Sequence, residues 1–295
     1  MLLPCQTVYL DKPMIATIER PETAVTVGKV LPRRPAGTLS GWTGIWSYRW
    51  ALGCFVVNNL RRRYRRSVLG FIWGLIAPLA TMSIMALVFS VIFHADLKQY
   101  IVYIFSGLLP WSYISESAVE GSQCFINAES YLKKLLIPKA FFPLVSVGTD
   151  CVNFIFSLTS LLLLGLVAGI HWNATVLLLP VAIAITAVFN LGMVMTYSVL
   201  TVYFRDVPHI LRVIYPALFY LLPVLYPVES IPEQFRTFFV LNPFYHLVGL
   251  FRSLIAAGQV PSATQWVCAS SIAAVSLVVG IVVLRAKERH LIFRL

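Results

Sequence analysis

The sequence predicts an all-α membrane protein of six transmembrane helices, with an amphipathic interfacial helix before them and an outer re-entrant helical hairpin between spans five and six. Three observations lead there. Of 295 residues 59% are hydrophobic and 12% charged, and mean hydropathy is +0.81, whereas soluble domains carry roughly 25% charged residues. Apolar stretches recur at the length of about 20 residues that crosses a bilayer core. The basic residues fall almost wholly in alternate connections between those stretches.

The six spans are residues 69–93, 100–124, 141–169, 174–204, 210–226 and 263–284. The fifth is the shortest and contains Pro216 and Pro223, so it is expected to kink, its freed carbonyls being satisfied by neighbouring helices. Residues 231–257 are apolar too but carry Arg236, Asn242, Pro243, His246 and Arg252. Charge decides their placement. With six spans, 20 basic residues lie inside and only Lys98, Arg236 and Arg252 outside. A seventh span would put the basic C-terminal tail outside, against the positive-inside rule. Residues 231–257 therefore read as the outer hairpin, and both termini as cytoplasmic.

Ahead of the spans, residues 1–41 form a proline-broken cytoplasmic tail with no apolar run followed by a cleavage site, so the N-terminus is expected to be retained. Residues 42–66 comprise the interfacial helix and a polybasic segment, and residues 67–295 the six-span domain with its short cytoplasmic tail. At 100° per residue, Trp42, Ile45, Trp46, Trp50, Leu52, Val56, Val57 and Leu60 form one apolar stripe, with Arg49 snorkelling from within it. The net charge of +11 is concentrated beside a span, at Arg61, Arg62, Arg63, Arg65 and Arg66. That position suits anionic lipid headgroups and not nucleic acid.

Chemistry is sparse. Cys5, Cys54, Cys124, Cys151 and Cys268 have no metal-ligand spacing and read as small buried hydrophobes. No phosphate-cradling loop, HExxH or GxSxG motif occurs, so energy for any transport comes from a partner or an ion gradient. Within spans the ionisable candidates are Glu116, Glu120 and Asp150, with structural pairing and a lining or coupling role both open.

The run Arg62 to Leu79, RRYRRSVLGFIWGLIAPL, resembles the start of the first span in ABC-2 type permeases that export O-antigen and teichoic acid polymers. SGLLPW at Ser106, followed by Glu116-Ser117, is similar to that family's second span. YLKKLLIPK at Tyr131 resembles its first cytoplasmic loop, YFRDV at Tyr203 its second, and LNPFYH at Leu241 its outer hairpin. The order matches too, from about Trp42 to Leu295. The long N-terminal tail departs from the pattern.

The resemblance implies a homodimeric permease in the bacterial inner membrane, paired with two ATP-binding cassette subunits that hold ATP and Mg²⁺, while this chain binds no cofactor. Cytoplasmic loops would then couple to the ATPase, through Glu129, Tyr131, Lys133, Lys134, Arg205 and Asp206. The arginines from Arg61 to Arg66 would recognise the phosphate of a lipid-linked glycan. Tyr100, Tyr103, Trp111, Tyr113, Tyr215, Phe219 and Tyr220 would line the channel or form an interfacial aromatic belt, two readings that residues alone leave open. Two rivals remain: an exporter of drugs or small lipids from the same superfamily, and a membrane-embedded glycosyl- or acyltransferase. The transferase would need clustered acids and histidines, whereas His94, His171, His209, His246 and His290 are scattered.

Overall fold

In hydrocarbon a backbone must satisfy its own hydrogen bonds, so long runs of Leu, Val, Ile and Ala close into helices. The computed structural model describes residues 48–64, 97–134, 137–167, 169–170, 172–222, 224, 239 and 241–294, with isolated positions between 76 and 88. The tail, most of the first predicted span, most of one arm of the predicted hairpin, and Arg65 and Arg66 lie outside the described residues.

In chain order the helices are α1 (Arg49–Tyr64), α2 (Leu97–Gly121), α3 (Cys124–Asn127), α4 (Glu129–Lys134), α5 (Phe141–Val167), α6 (Leu179–Tyr203), α7 (Val207–Tyr220), α8 (Pro243–Ile255) and α9 (Ala263–Arg294). A 3₁₀ turn, Ala174–Leu178, leads into α6. Among the described residues three helical stretches are long and apolar enough to cross a membrane: Phe141–Leu166, Ala174–Tyr203 and Ala263–Glu288. They coincide with the third, fourth and sixth predicted spans. The chain is thus an all-α, multi-pass membrane protein. Helix α9 has 32 residues, about 48 Å at 1.5 Å per residue, so its basic last turns outrun the hydrocarbon.

Local sequence explains the boundaries. The Phe204 backbone turns extended and ends α6, and Pro208 in the first turn of α7 needs no amide partner. The Asn242 side chain accepts from the Phe244 amide at 3.0 Å, with Pro243 behind it, which caps α8. Helix α7 contains Pro216 and stops at Tyr220, before Pro223, after 14 residues, about 21 Å.

Between lipid-embedded helices there is no hydrophobic drive, so close van der Waals contact through small residues decides packing. The seam of α6 with α9 shows this. A Cβ added to Gly192 would stand 2.2 Å from the Ser276 carbonyl group, and one added to Gly280 would stand 2.5 Å from the Gly192 oxygen. Ser276 Oγ donates to the Phe189 carbonyl across the seam at 2.9 Å. Helix α8 packs against α2, α6 and α9 and buries Leu247, Leu250, Phe251 and Leu254 almost completely. This arm is covered by protein. Thr175 Oγ1 donates to the Leu254 carbonyl and Asn173 Nδ2 to that of Gly258, both at 3.0 Å, tying the α8 end to the start of α6.

Helix α1 lies against α5 through part of the expected stripe, Leu52, Val56 and Leu60, joined by residues outside it. Ala51 and Val56 are buried, and Tyr48, Leu52, Phe55 and Leu60 are packed beside them. Trp50 is 76% exposed and Val57 43%. One apolar arc faces protein and a second faces outward, and periodicity had merged the two.

The seam yields a test. Gly192→Leu forces backbones apart and is expected to cost more than the usual 1–3 kcal/mol or so of core overpacking, abolishing a monodisperse peak in detergent. Gly53→Ala, with nothing within 4 Å of the added carbon, is expected to elute as the parent does.

Candidate functional site

At one end of the bundle the chain gathers its basic residues, and secondary structure explains how. The connection between α2 and α5 is not one continuous helix. It is instead two short ones, α3 and α4, pivoting at Ala128, whose carbonyl accepts from the amides of Tyr131 and Leu132 at 3.0 and 2.9 Å. Leu132 is buried and anchors α4, while Lys133 and Lys134 point outward. Lys133 Nζ donates to Glu129 Oε1 at 2.5 Å, and this partner, with a smaller contribution from Arg205, holds the Glu129 carboxyl below its usual range. Arg205 adds to that lowering from the α6–α7 loop, and α3 packs against α6.

Arg205 and Asp206 are exposed in that loop. Beside them the Tyr203 ring lies under two cations, Arg294 at 4.8 Å and Lys287 at 5.6 Å. Lys139 donates to the Glu288 carbonyl, and partial burial draws its pKa down. The end of α9 is thereby clasped by residues preceding α5 and ending α6.

Next to α4 opens a cavity of about 550 Å³ whose walls come from α1, the ends of α2 and α5, and α3–α4. Arg62, Glu120 and Asn127 are its exposed members, Asp150 a buried one at 6% exposure, and Phe55 and Asn59 complete its character. Phe55 meets the Tyr131 ring edge-on at 5.5 Å and the Phe141 ring at 5.3 Å. Ser117 Oγ donates to Asp150 Oδ2 at 3.1 Å, which offsets part of the cost of burying a carboxylate in a membrane helix. Sequence singled out Glu116, Glu120 and Asp150. It missed that Glu120 and Asp150 share a cavity with Arg62 while Glu116 does not line it, because those residues come from three elements.

Of the arginine run, Arg61 and Arg62 are exposed at the end of α1, and Arg63 lies within that helix. The aromatic candidates divide. Trp111 packs on Tyr215 at 5.8 Å, Phe219 at 6.2 Å and Phe244 at 5.5 Å, and Tyr113 stacks on Phe154 at 4.8 Å. Trp111, Tyr113, Phe154, Tyr215, Phe219 and Tyr100 are buried within the subunit, whereas Phe244 is half-buried and Tyr220 is 68% exposed. Phe244 was not anticipated; it sits one residue past the proline that starts α8. Tyr103 stacks with Tyr100 and lies under the Arg252 guanidinium, 4.2 Å from its ring centre. Arg252 also donates to the Val224 carbonyl at 3.0 Å. Among the described residues no group of His, Cys, Asp and Glu is arranged to hold a metal ion.

An all-α bundle with long apolar helices, basic residues gathered at one end and a covered helix at the other suits a subunit that works within a membrane. Residues 52–256 match the ABC-2 type transporter family, and the chain belongs to it. It is 30% identical over 235 residues to the O-antigen export system permease protein RfbA of Myxococcus xanthus, covering 79% of this chain and 90% of that protein. It is 26% identical over 205 residues to the protein of the same name in Klebsiella pneumoniae, covering 68% and 78%. It is 21% identical over 247 residues to the polysialic acid transport protein KpsM of Escherichia coli, covering 80% and 93%. The chain is accordingly a non-catalytic permease component.

Arg252 should hold α8 in place. Arg252→Ala strands the Val224 carbonyl and the Tyr103 face, at about 1–3 kcal/mol. Hydrogen exchange in detergent is expected to rise in residues 222–255 and stay unchanged in α6; an unchanged α8 would refute the anchor.

Proposed function

We propose that this chain is the membrane-spanning subunit of an ATP-driven exporter that carries a lipid-linked polysaccharide, of O-antigen, teichoic acid or capsule type, across the bacterial inner membrane. Two copies pair with two ATP-binding cassette subunits, and the basic end of the bundle, with both termini, faces the cytoplasm. The observation that carries this reading is the match of residues 52–256 to the ABC-2 type transporter family in a chain that gathers Lys139, Lys287 and Arg294 at one end of its bundle. The names of relatives at up to 30% identity support the polysaccharide class over drugs or small lipids. Six spans and a re-entrant outer hairpin remain the topology that the basic asymmetry favours.

Force enters where a short stiff element meets a partner. Helix α4 is short, anchored inward by Leu132, with Lys133 and Lys134 exposed and Glu129 and Tyr131 half-buried, and Arg205 and Asp206 are exposed in the α6–α7 loop. These six form the coupling surface. Displacing α4 moves Tyr131 against Phe55 and so shifts α1, which bears Arg61, Arg62 and Arg63. Together with Arg65 and Arg66 these arginines bind the carrier phosphate through planar, bidentate contacts and anchor α1 in anionic lipid. Tyr103 and Tyr220 offer the channel accessible rings. Tyr100, Trp111, Tyr113, Tyr215 and Phe219 stiffen its wall from behind, a flat apolar surface suiting sugar faces.

The coupling surface is tested by charge reversal in the reconstituted complex. Glu129→Lys is expected to cut glycan-stimulated ATP hydrolysis by about tenfold, a loss of roughly 1.4 kcal/mol in coupling, with membrane insertion intact. Adding Arg205→Glu restores opposite charges and should recover at least half the activity. Wild-type hydrolysis in both single variants would remove these residues from the coupling surface.

A further inference from the structure

We propose that the cavity between α1, α2, α3–α4 and α5 is a binding subsite for the membrane-proximal sugar phosphate of the lipid-linked glycan, an inference that rests on the permease reading above. Its volume of about 550 Å³ falls within the roughly 300–1,000 Å³ of small-molecule sites. Its chemistry is graded along its depth. Arg62 is exposed, so the mouth carries the cation, whereas Asp150 is 6% exposed and adds a carboxylate inside. With Glu120 the lining holds two acids to one base.

That balance selects among ligands. A bare anion would be drawn to Arg62 and repelled from the interior, because the buried Asp150 carboxylate repels it strongly away from water. A sugar carrying a phosphate satisfies both ends. Its phosphate meets the guanidinium fork of Arg62, and its hydroxyls donate to the carboxylates and to the amide oxygens of Asn59 and Asn127. Phe55 supplies an apolar wall for the ring's CH face. Asp150 is positioned for this by Ser117, whose hydroxyl occupies one oxygen at 3.1 Å.

The walls also say what occupancy does. Tyr131 and Asn127 line the cavity and belong to the turn assigned to coupling, and Phe55 touches Tyr131 from α1. A ligand lodged there contacts both elements, so it biases the arrangement that the ATPase subunit meets. Loading and hydrolysis are then linked through one pocket.

The test places a single thiol in the wall. Ser146→Cys in an otherwise cysteine-free chain is assembled with its ATPase subunit in inside-out vesicles and alkylated with a small maleimide. Three probes are compared: a short-chain prenyl diphosphate carrying one N-acetylated hexose, the same lipid diphosphate without sugar, and the soluble hexose phosphate. The sugar-bearing lipid is expected to slow alkylation about tenfold when present at about ten times its dissociation constant. The bare lipid should protect much less, and the soluble hexose phosphate should protect at higher concentration. Glu120→Gln, at an exposed position, and Asp150→Asn should each weaken protection by at least about threefold. Equal protection by the bare lipid, or undiminished protection in Glu120→Gln, overturns the sugar subsite. If the sugar-bearing lipid stimulates ATP hydrolysis in the same vesicles yet leaves alkylation unchanged, the subsite falls and the permease stands. If it does neither, the permease reading falls as well.

Discussion

Helices in lipid gain nothing by hiding apolar surface from one another, so a membrane bundle is held where backbones can come close enough for dispersion and hydrogen bonding to act. Here that place is the seam of α6 and α9. Gly192 and Gly280 let the two backbones approach within side-chain distance, and Ser276 adds a hydrogen bond to the Phe189 carbonyl. The pair forms a stiff post. Against α6 stand α5 and α2, and against both α6 and α9 stands α8, so the two ends of the molecule are positioned from one rigid element.

At one end this post carries Tyr203 and the last turns of α9, locked together by Arg294, Lys287 and the bond from Lys139. The α3–α4 turn and α1 rest on the cluster of Phe141, Phe125, Leu132 and Val56 and border a cavity. A turn that shares a cavity with a neighbouring helix suits a device that converts displacement into a change of binding. The proposed roles of Glu129, Arg205 and Arg62 follow from their placement on the elements around that cavity and the loop at the same end.

Much of the fold was legible in the sequence because hydrocarbon imposes a length. Residues 141–169, 174–204 and 263–284 were marked by apolar run length, and the helices found there start at the same residues or, for the fourth, through the 3₁₀ turn. Other features were hidden for physical reasons. The stripe on α1 mixed Trp50 with Val56, since lipid and protein accept the same residue types and periodicity cannot tell them apart. Gly192 and Gly280 are unremarkable singly, and only their apposition gives them a role. The Ser117–Asp150 bond joins residues 33 apart, and the cavity joins elements farther apart still. Charge patterning did bring the basic loops to one side, because the asymmetry of lysine and arginine is a property of whole connections.

The claim on which everything else depends is that this chain moves a lipid-linked glycan only when a partner hydrolyses ATP. Proteoliposomes holding the permease with or without its ATPase subunit, and a fluorescent short-chain lipid-linked oligosaccharide in the outer leaflet, measure it directly. Transport predicts that the glycan becomes inaccessible to an external glycosidase only when both subunits and hydrolysable ATP are present, whatever the proton or sodium gradient. Protection by the permease alone, or protection driven by an ion gradient without ATP, would contradict the account.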